Sequence, residues 1–269
     1  MTRSGLIGVA AAVLAAMCPG QALAQHVDVQ VAVENGRLVT GRVDFTQPGN
    51  AIDPSWRVFE AAFGEFAGFT DDPGFNASSG SGLPQGTLLG FDILDAARKW
   101  SPANQNFETI PAETILVTFG GSSNATSPPE CNGSTPGFWF ASASASGTIH
   151  SHVGYFLNMP QSDGVYLLKL RLRTNNAGIA PSDPFWVVFS QNDLAARSAA
   201  AAYVRDVIEP DPCGSDFNGD GVVNGADLSV LLSMFGRCVF GGSAADANGD
   251  GMIDGADLSV LLSNFGRTC

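Results

Sequence analysis

The last quarter of this chain spaces oxygen donors in a pattern that suits one kind of chemistry. The stretch DFNGDGVVNGADLSVLLSMFG at 216–236 returns almost unchanged as DANGDGMIDGADLSVLLSNFG at 246–266. Asp216, Asn218 and Asp220 place side-chain oxygens at alternate positions, and Gly221 permits a sharp turn. Val222 then offers its carbonyl, Asn224 contributes directly or through water, and Asp227 closes the set. Asp246, Asn248, Asp250, Gly251, Met252, Asp254 and Asp257 repeat every one of these positions. A hard divalent cation collects about six to eight oxygens, and D-x-[DN]-x-[DN]-G is the loop that wraps calcium. The repeat therefore predicts two calcium ions, one per loop. The closing residue is Asp where the standard loop has Glu; one methylene less weakens calcium or moves selectivity toward magnesium.

Nitrogen donors form a second candidate set. The chain has three histidines, His26, His150 and His152. In HVDVQVAV at 26–33 the valines alternate with polar residues, which predicts a strand with His26 and Asp28 on its polar face. In TIHSHVGYFL at 148–157, Ile149, Val153, Tyr155 and Leu157 share one face, and His150 and His152 share the other. If these strands are neighbours, His26, Asp28, His150 and His152 converge on a ligand set for zinc or copper. If they are not, the imidazoles are solvated side chains on a polar face. Cleavage after Gln25 would make His26 the first residue, whose amine and ring chelate copper; cleavage after Ala24 fits signal processing better.

The elements that position the oxygen donors come next. After each loop, Leu228, Leu231, Leu232 and Phe235, then Leu258, Leu261, Leu262 and Phe265, fall at the spacing of one helix face. No comparable helix precedes either loop: PDPCGS and FGGSAA are short and rich in Gly or Pro. Each unit thus reads as loop then helix, and the two Leu/Phe stripes are expected to bury against each other. This duplicated loop–helix pattern, with Asp at the twelfth position, resembles a dockerin over roughly residues 213–269. It looks in particular like the anchors that carry Cys beside a terminal aromatic-Gly pair, here FGRC and FGRTC. The resemblance implies an all-α module that folds around calcium and docks a cohesin-like protein or another cell-surface component. Gly225-Ala226 and Gly255-Ala256 stand where cellulosomal dockerins carry Ser-Thr-like recognition pairs. Antiparallel packing of two such units would bring Cys213 and Cys269 together as a clasp, leaving Cys238 for Cys131 or for an external thiol; four cysteines allow three complete pairings, and sequence does not choose among them.

The rest of the chain is read around these sites. Residues 1–24 have the form of a secretory signal: Arg3, an apolar run too short to span a bilayer, then Ala22-Leu23-Ala24. That implies a secreted, extracellular or surface-associated protein whose cysteines meet oxidising conditions. Residues 25–208 are expected to form a mainly β domain, an antiparallel sandwich of jelly-roll-like form, because period-two apolar runs are punctuated by Gly, Pro, Asn and Ser. DDPGFNASSGSGLPQG at 71–86 reads as a long polar loop, LAARSAAAAYVRDVIE at 194–209 as a helix, 209–215 as a linker and 216–269 as the dockerin-like module. A net charge of -13 argues against nucleic acid, which needs clustered Lys and Arg, and favours cations.

Catalytic motifs are absent: there is no H-E-x-x-H, G-x-S-x-G or P-loop. Glu60, Glu65, Glu108 and Glu113 are the candidates for a paired-carboxylate site acting on polysaccharide, and Trp56, Trp100, Trp139 and Trp186 for a carbohydrate-binding groove. The leading expectation is a secreted, non-enzymatic binding or structural protein anchored through calcium. The alternative is a polysaccharide-active enzyme or carbohydrate-binding module carried by the same anchor.

Overall fold

The computed structural model describes residues 28–43, 52–131, 133–208, 215–240, 245–248 and 250–268. The signal segment, His26, Cys213, Cys269 and most of the 209–215 linker lie outside the described residues.

Three sheets build the larger part. The first joins β1 (Val29–Glu34), β2 (Arg37–Val43), β3 (Ile52–Asp53), β6 (Phe75–Ala77) and β13 (Ile149–Ser151), in the order β13-β6-β1-β2-β3. The second takes β5 (Phe69–Thr70), β10 (Ile115–Phe119), β11 (Ser123–Thr126) and β14 (Gly154–Leu157) in the order β11-β10-β14-β5. The third takes β4 (Val58–Phe63), β7 (Leu88–Ile93), β12 (Thr135–Ser142), β15 (Gly164–Thr174) and β16 (Phe185–Gln191) in the order β12-β7-β15-β16-β4; β8 (Arg98–Ser101) pairs with β15, and β9 (Asn106–Thr109) with β8. Most pairs are antiparallel; β1–β6 and β4–β16 run parallel.

The main core lies between the sheets, where Val29, Val31, Phe75, Phe91, Tyr155, Tyr166 and Phe189 are buried together. The β16 strand is buried along its whole length. Its outer face is covered by α1 (Leu194–Ile208), which lays Ala200, Ala201 and Val204 on Val165, Leu167, Trp186 and Val188. A strand covered on both sides reads as the unbroken apolar run FWVVF, with no alternation. The sandwich expected for this part of the chain is present.

The all-α expectation for the tail is overturned. α2 (Gly225–Met234) and α3 (Gly255–Asn264) are tied by short antiparallel bridges, Val222 to Thr268 and Cys238 to Met252. The Val223 N–H donates to the Arg267 carbonyl at 2.9 Å, and the Ile253 N–H to the Arg237 carbonyl at 3.0 Å. The reason is local. The extended end of each loop leaves backbone donors and acceptors that its own helix cannot satisfy, and the chain leaving the other helix supplies them. The described residues are mainly β, with three helices among them, one of which belongs to the sandwich.

Two further expectations change. Residues 71–86 are not one polar loop: β6 lies inside them, and Phe75, Ala77 and Leu83 are buried. The Leu/Phe stripes of the tail are only half covered. Leu231 and Leu261 are fully buried with Phe217, Val223, Val239, Ala245 and Ile253. Leu232 and Leu262 are each 56% exposed, and Phe235 and Phe265 are 50% and 51% exposed. Among the described residues no helix is long and apolar enough to cross a membrane.

Candidate functional site

The two oxygen-rich loops fold alike. Asp227 and Asp257 stand in the first turns of α2 and α3 and are fully buried. One carboxylate oxygen of Asp227 accepts from the Asn224 N–H at 2.7 Å and the other from the Asn218 N–H at 3.2 Å. Asp257 does the same with Asp254 at 2.8 Å and Asn248 at 3.2 Å. An aspartate at this position therefore closes the loop and completes a capping box together, a reach that fits the shorter side chain. Burial pushes the Asp227 carboxyl up, but the amides of Asn224, Asn218 and Phe217 outweigh it and hold it below its ordinary range. Asp220 Oδ1 takes the Val222 N–H at 2.9 Å, and Asp250 Oδ1 the Met252 N–H at 2.8 Å.

The first residues of the two loops differ. Asp216 accepts from the Asp220 N–H at 3.1 Å and the Gly221 N–H at 2.8 Å. Asp246 is buried and accepts from the Gly251 N–H at 3.0 Å, while its Oδ1 is buried without a hydrogen-bond partner. Burial pushes its carboxyl up to about 6; the Gly251 amide opposes that, the carboxylates of Asp257 and Asp250 add to it, and Lys169 opposes it. Lys169 belongs to β15, so the second loop lies against the sandwich. Phe240, between the repeats, is buried with Phe107, Val165 and Trp186 of the sandwich. Cys131 and Cys238 form a disulfide across the same junction.

His150 and His152 lie elsewhere, at the edge strand of the first sheet. That strand and β1 are not neighbours, because β6 runs between β1 and β13. Nor is 148–157 one strand: β13 belongs to the first sheet, β14 to the second, and His152 sits at the crossing. Gln30 pairs with Asn76 and His150 with Asn76, so the three stand in one row. Extending both registers by one residue puts Asp28 and His152 on either side of Gly74. Two strand spacings of about 4.8 Å would normally separate such side chains, but glycine leaves the gap open. The Gly74 N–H donates to Asp28 Oδ1 at 3.2 Å. His150 Nδ1 is 3.8 Å from Asp28 Oδ2, and the two imidazole rings are 5.2 Å apart.

One ligand atom from each of Asp28, His150 and His152 lies within 4.8 Å of the others, and Asp71, Asp72 and His152 form a second such triad. These acidic and histidine groups could hold a metal ion. Asp71 and Asp72 were not among the ligands expected from sequence, since nothing in DDPG signals a partner some eighty residues away. Tyr155 lies beneath, with its hydroxyl donating to the Pro73 carbonyl at 3.4 Å; burial raises its pKa, and the nearby Asp72 and Asp28 carboxylates raise it further.

The glutamates and tryptophans considered for polysaccharide are dispersed. Glu60 pairs with Arg197 at 3.2 Å and Arg205 at 2.6 Å. Glu65 accepts from Thr70 at 2.7 Å, and Glu113 is buried under Ser162 and Tyr166. Burial raises the Glu108 carboxyl despite Arg98 nearby. Trp100 and Trp186 are buried, Trp56 is half-buried with Arg42 over its ring, and Trp139 lies at the surface beneath Arg173. Comparison with protein-family models, with curated proteins and with solved structures finds no match to this chain.

Proposed function

We propose that this is an exported binding protein whose β-sandwich is carried by a calcium-dependent, dockerin-like anchor. The observation that carries the reading is the orphaned Oδ1 of Asp246, a buried carboxylate oxygen with no hydrogen-bond partner. A buried acceptor without a partner costs about 1–3 kcal/mol, and a cation in the loop offsets it. The second loop repeats the hydrogen-bond scaffold of the first, so the ligand set Asp216, Asn218, Asp220, Val222, Asn224 and Asp227 takes one calcium, and Asp246, Asn248, Asp250, Met252, Asp254 and Asp257 another. The exposed Leu232/Phe235 and Leu262/Phe265 pairs supply two similar apolar surfaces for a cohesin-like or cell-surface partner.

The test is calorimetric titration of calcium into the metal-stripped chain. The intact protein takes up two ions, Asp220→Ala or Asp250→Ala takes up one, and the double variant none. Uptake unchanged by both substitutions would remove the loops from the account.

A second reading concerns the sandwich. The convergence of Asp28, His150 and His152 favours a transition-metal centre there, for zinc or copper, because two imidazoles and a carboxylate are the donors these ions prefer. His26 was the fourth candidate for this set and lies outside the described residues.

A further inference from the structure

We propose that Gly74 and the carbonyl of Asp71 build the histidine centre, and that they select one of its two overlapping triads: a single zinc ion held by Asp28 Oδ2, His150 Nδ1 and His152 Nε2, with a fourth position that no described residue fills. The inference rests on the transition-metal reading of the sandwich.

His152 belongs to both triads but has one nitrogen to give. Its Nδ1 is 2.9 Å from the Asp71 carbonyl oxygen. A carbonyl only accepts, so Nδ1 carries the hydrogen and the lone pair of the neutral ring is on Nε2. An imidazole that donates one N–H to a backbone carbonyl and turns the other nitrogen outward is the usual support of a metal-bound histidine. In the Asp71–Asp72–His152 triad the nitrogen that faces Asp72 is Nδ1, 3.9 Å from Asp72 Oδ1 and already engaged with the Asp71 carbonyl. Asp28 is fixed in the same way. Its Oδ1 takes the Gly74 amide, and its Oδ2 faces His150 Nδ1 at 3.8 Å. Two ligands on a tetrahedral zinc sit roughly 3.3 Å apart, given bonds of about 2.0–2.1 Å, so the Asp28–His150 pair needs to close by only about half an ångström.

Gly74 makes room for this arrangement. A Cβ built on it would lie 2.6 Å from both Cε1 and Nε2 of His152 and 2.8 Å from Nδ1. The ring rests flat on the glycine backbone, and any side chain would push it off. The supporting turn is itself held: Thr70 Oγ1 donates to Glu65 at 2.7 Å, the Asp71 N–H donates to the same oxygen at 3.0 Å, and the Asp72 N–H donates to Thr70 Oγ1 at 3.2 Å. His150 is 68% exposed in its side chain, so one side of the ion faces solvent. Among the described residues three protein ligands face the ion, which leaves a position for a further donor.

The experiment is zinc titration of the intact chain, with calcium saturating, for the wild type and for Gly74→Ala, His150→Ala and His152→Ala. One zinc is expected in the wild type and none at the same concentrations in the histidine variants. Gly74→Ala adds no charge and removes no ligand, yet should weaken zinc by about 10- to 100-fold, the range for loss of a ligand's support, with calcium uptake unchanged. Nitrogen-15 shifts of wild-type His152 provide a readout that needs no variant: Nδ1 protonated before zinc, and Nε2 shifted by it. Absence of zinc uptake in the wild type would overturn the transition-metal reading itself. Uptake indifferent to Gly74→Ala or His152→Ala, or coordination through Nδ1, would overturn this inference and leave that reading standing.

Discussion

Glu113 shows how a single buried charge is made tolerable in the sandwich. Its Oε1 accepts from the Ser162 N–H at 3.0 Å, from the Tyr166 hydroxyl at 3.0 Å and from the Ser162 hydroxyl, while Lys99 donates to that same serine at 2.8 Å. Burial works to raise its pKa, but the Ser162 and Tyr166 donors outweigh it, and the carboxyl sits below its ordinary value of 4.5. A carboxyl whose folded pKa is depressed stabilises the fold above the unfolded value and loses that contribution as pH falls through the folded one. Glu113→Gln should therefore cost about 1–3 kcal/mol near neutral pH, and the difference from wild type should shrink below pH 4.5. Urea unfolding at a series of pH values measures this; a deficit that stays constant into acid would contradict it. Asp246 has too few donors where Glu113 has enough, and that contrast is what points to a cation at the one and not the other.

At the scale of elements, α2 and α3 divide their apolar residues between a buried and an open side. Leu231 and Leu261 carry the small core of the tail, so either change to Ala should cost about 2–5 kcal/mol. Leu232 and Leu262 face outward, and changing both to Glu should move stability by no more than about 0.5 kcal/mol. Chemical denaturation in calcium distinguishes the two classes; equal losses would mean that the outward leucines are core. The helices and loops of the tail were readable because their determinants are local: donors at alternate positions and leucines at helical spacing recur within twenty residues. The bridges between Val222 and Thr268 and between Cys238 and Met252 were not readable, since each pairs residues from different repeats over one or two positions. In the sandwich, the β6 strand hid inside a polar stretch because only Phe75 and Ala77 mark it. The histidine pair was legible, but Gly74 was not, because its contribution is the side chain it lacks.

The whole molecule places one repeat closer to the sandwich than the other. Phe240 is buried beside Trp186, the Cys131–Cys238 disulfide lies across the junction, and Arg98 donates to Cys238 Sγ at 3.0 Å. Lys169 sits within the same junction, its pKa held below the ordinary lysine value by burial, which outweighs the opposing carboxylates of Asp95, Asp246 and Asp250. The second loop thus buries its first carboxylate, Asp246, where the corresponding Asp216 of the first loop is half-buried, while Asp220 and Asp250 are exposed alike. In a chain of net charge -13, crowding of this kind would make the tail depend on bound cations on the reading proposed above. The account is tested most directly by thermal unfolding of the intact chain in saturating calcium and again after EGTA, with bound calcium counted in parallel. It predicts two ions and a tail transition that calcium moves upward, by the equivalent of about 2.7 kcal/mol for each ion when calcium exceeds its dissociation constant a hundredfold. Superimposable melts, or a chain that holds no calcium, would contradict it.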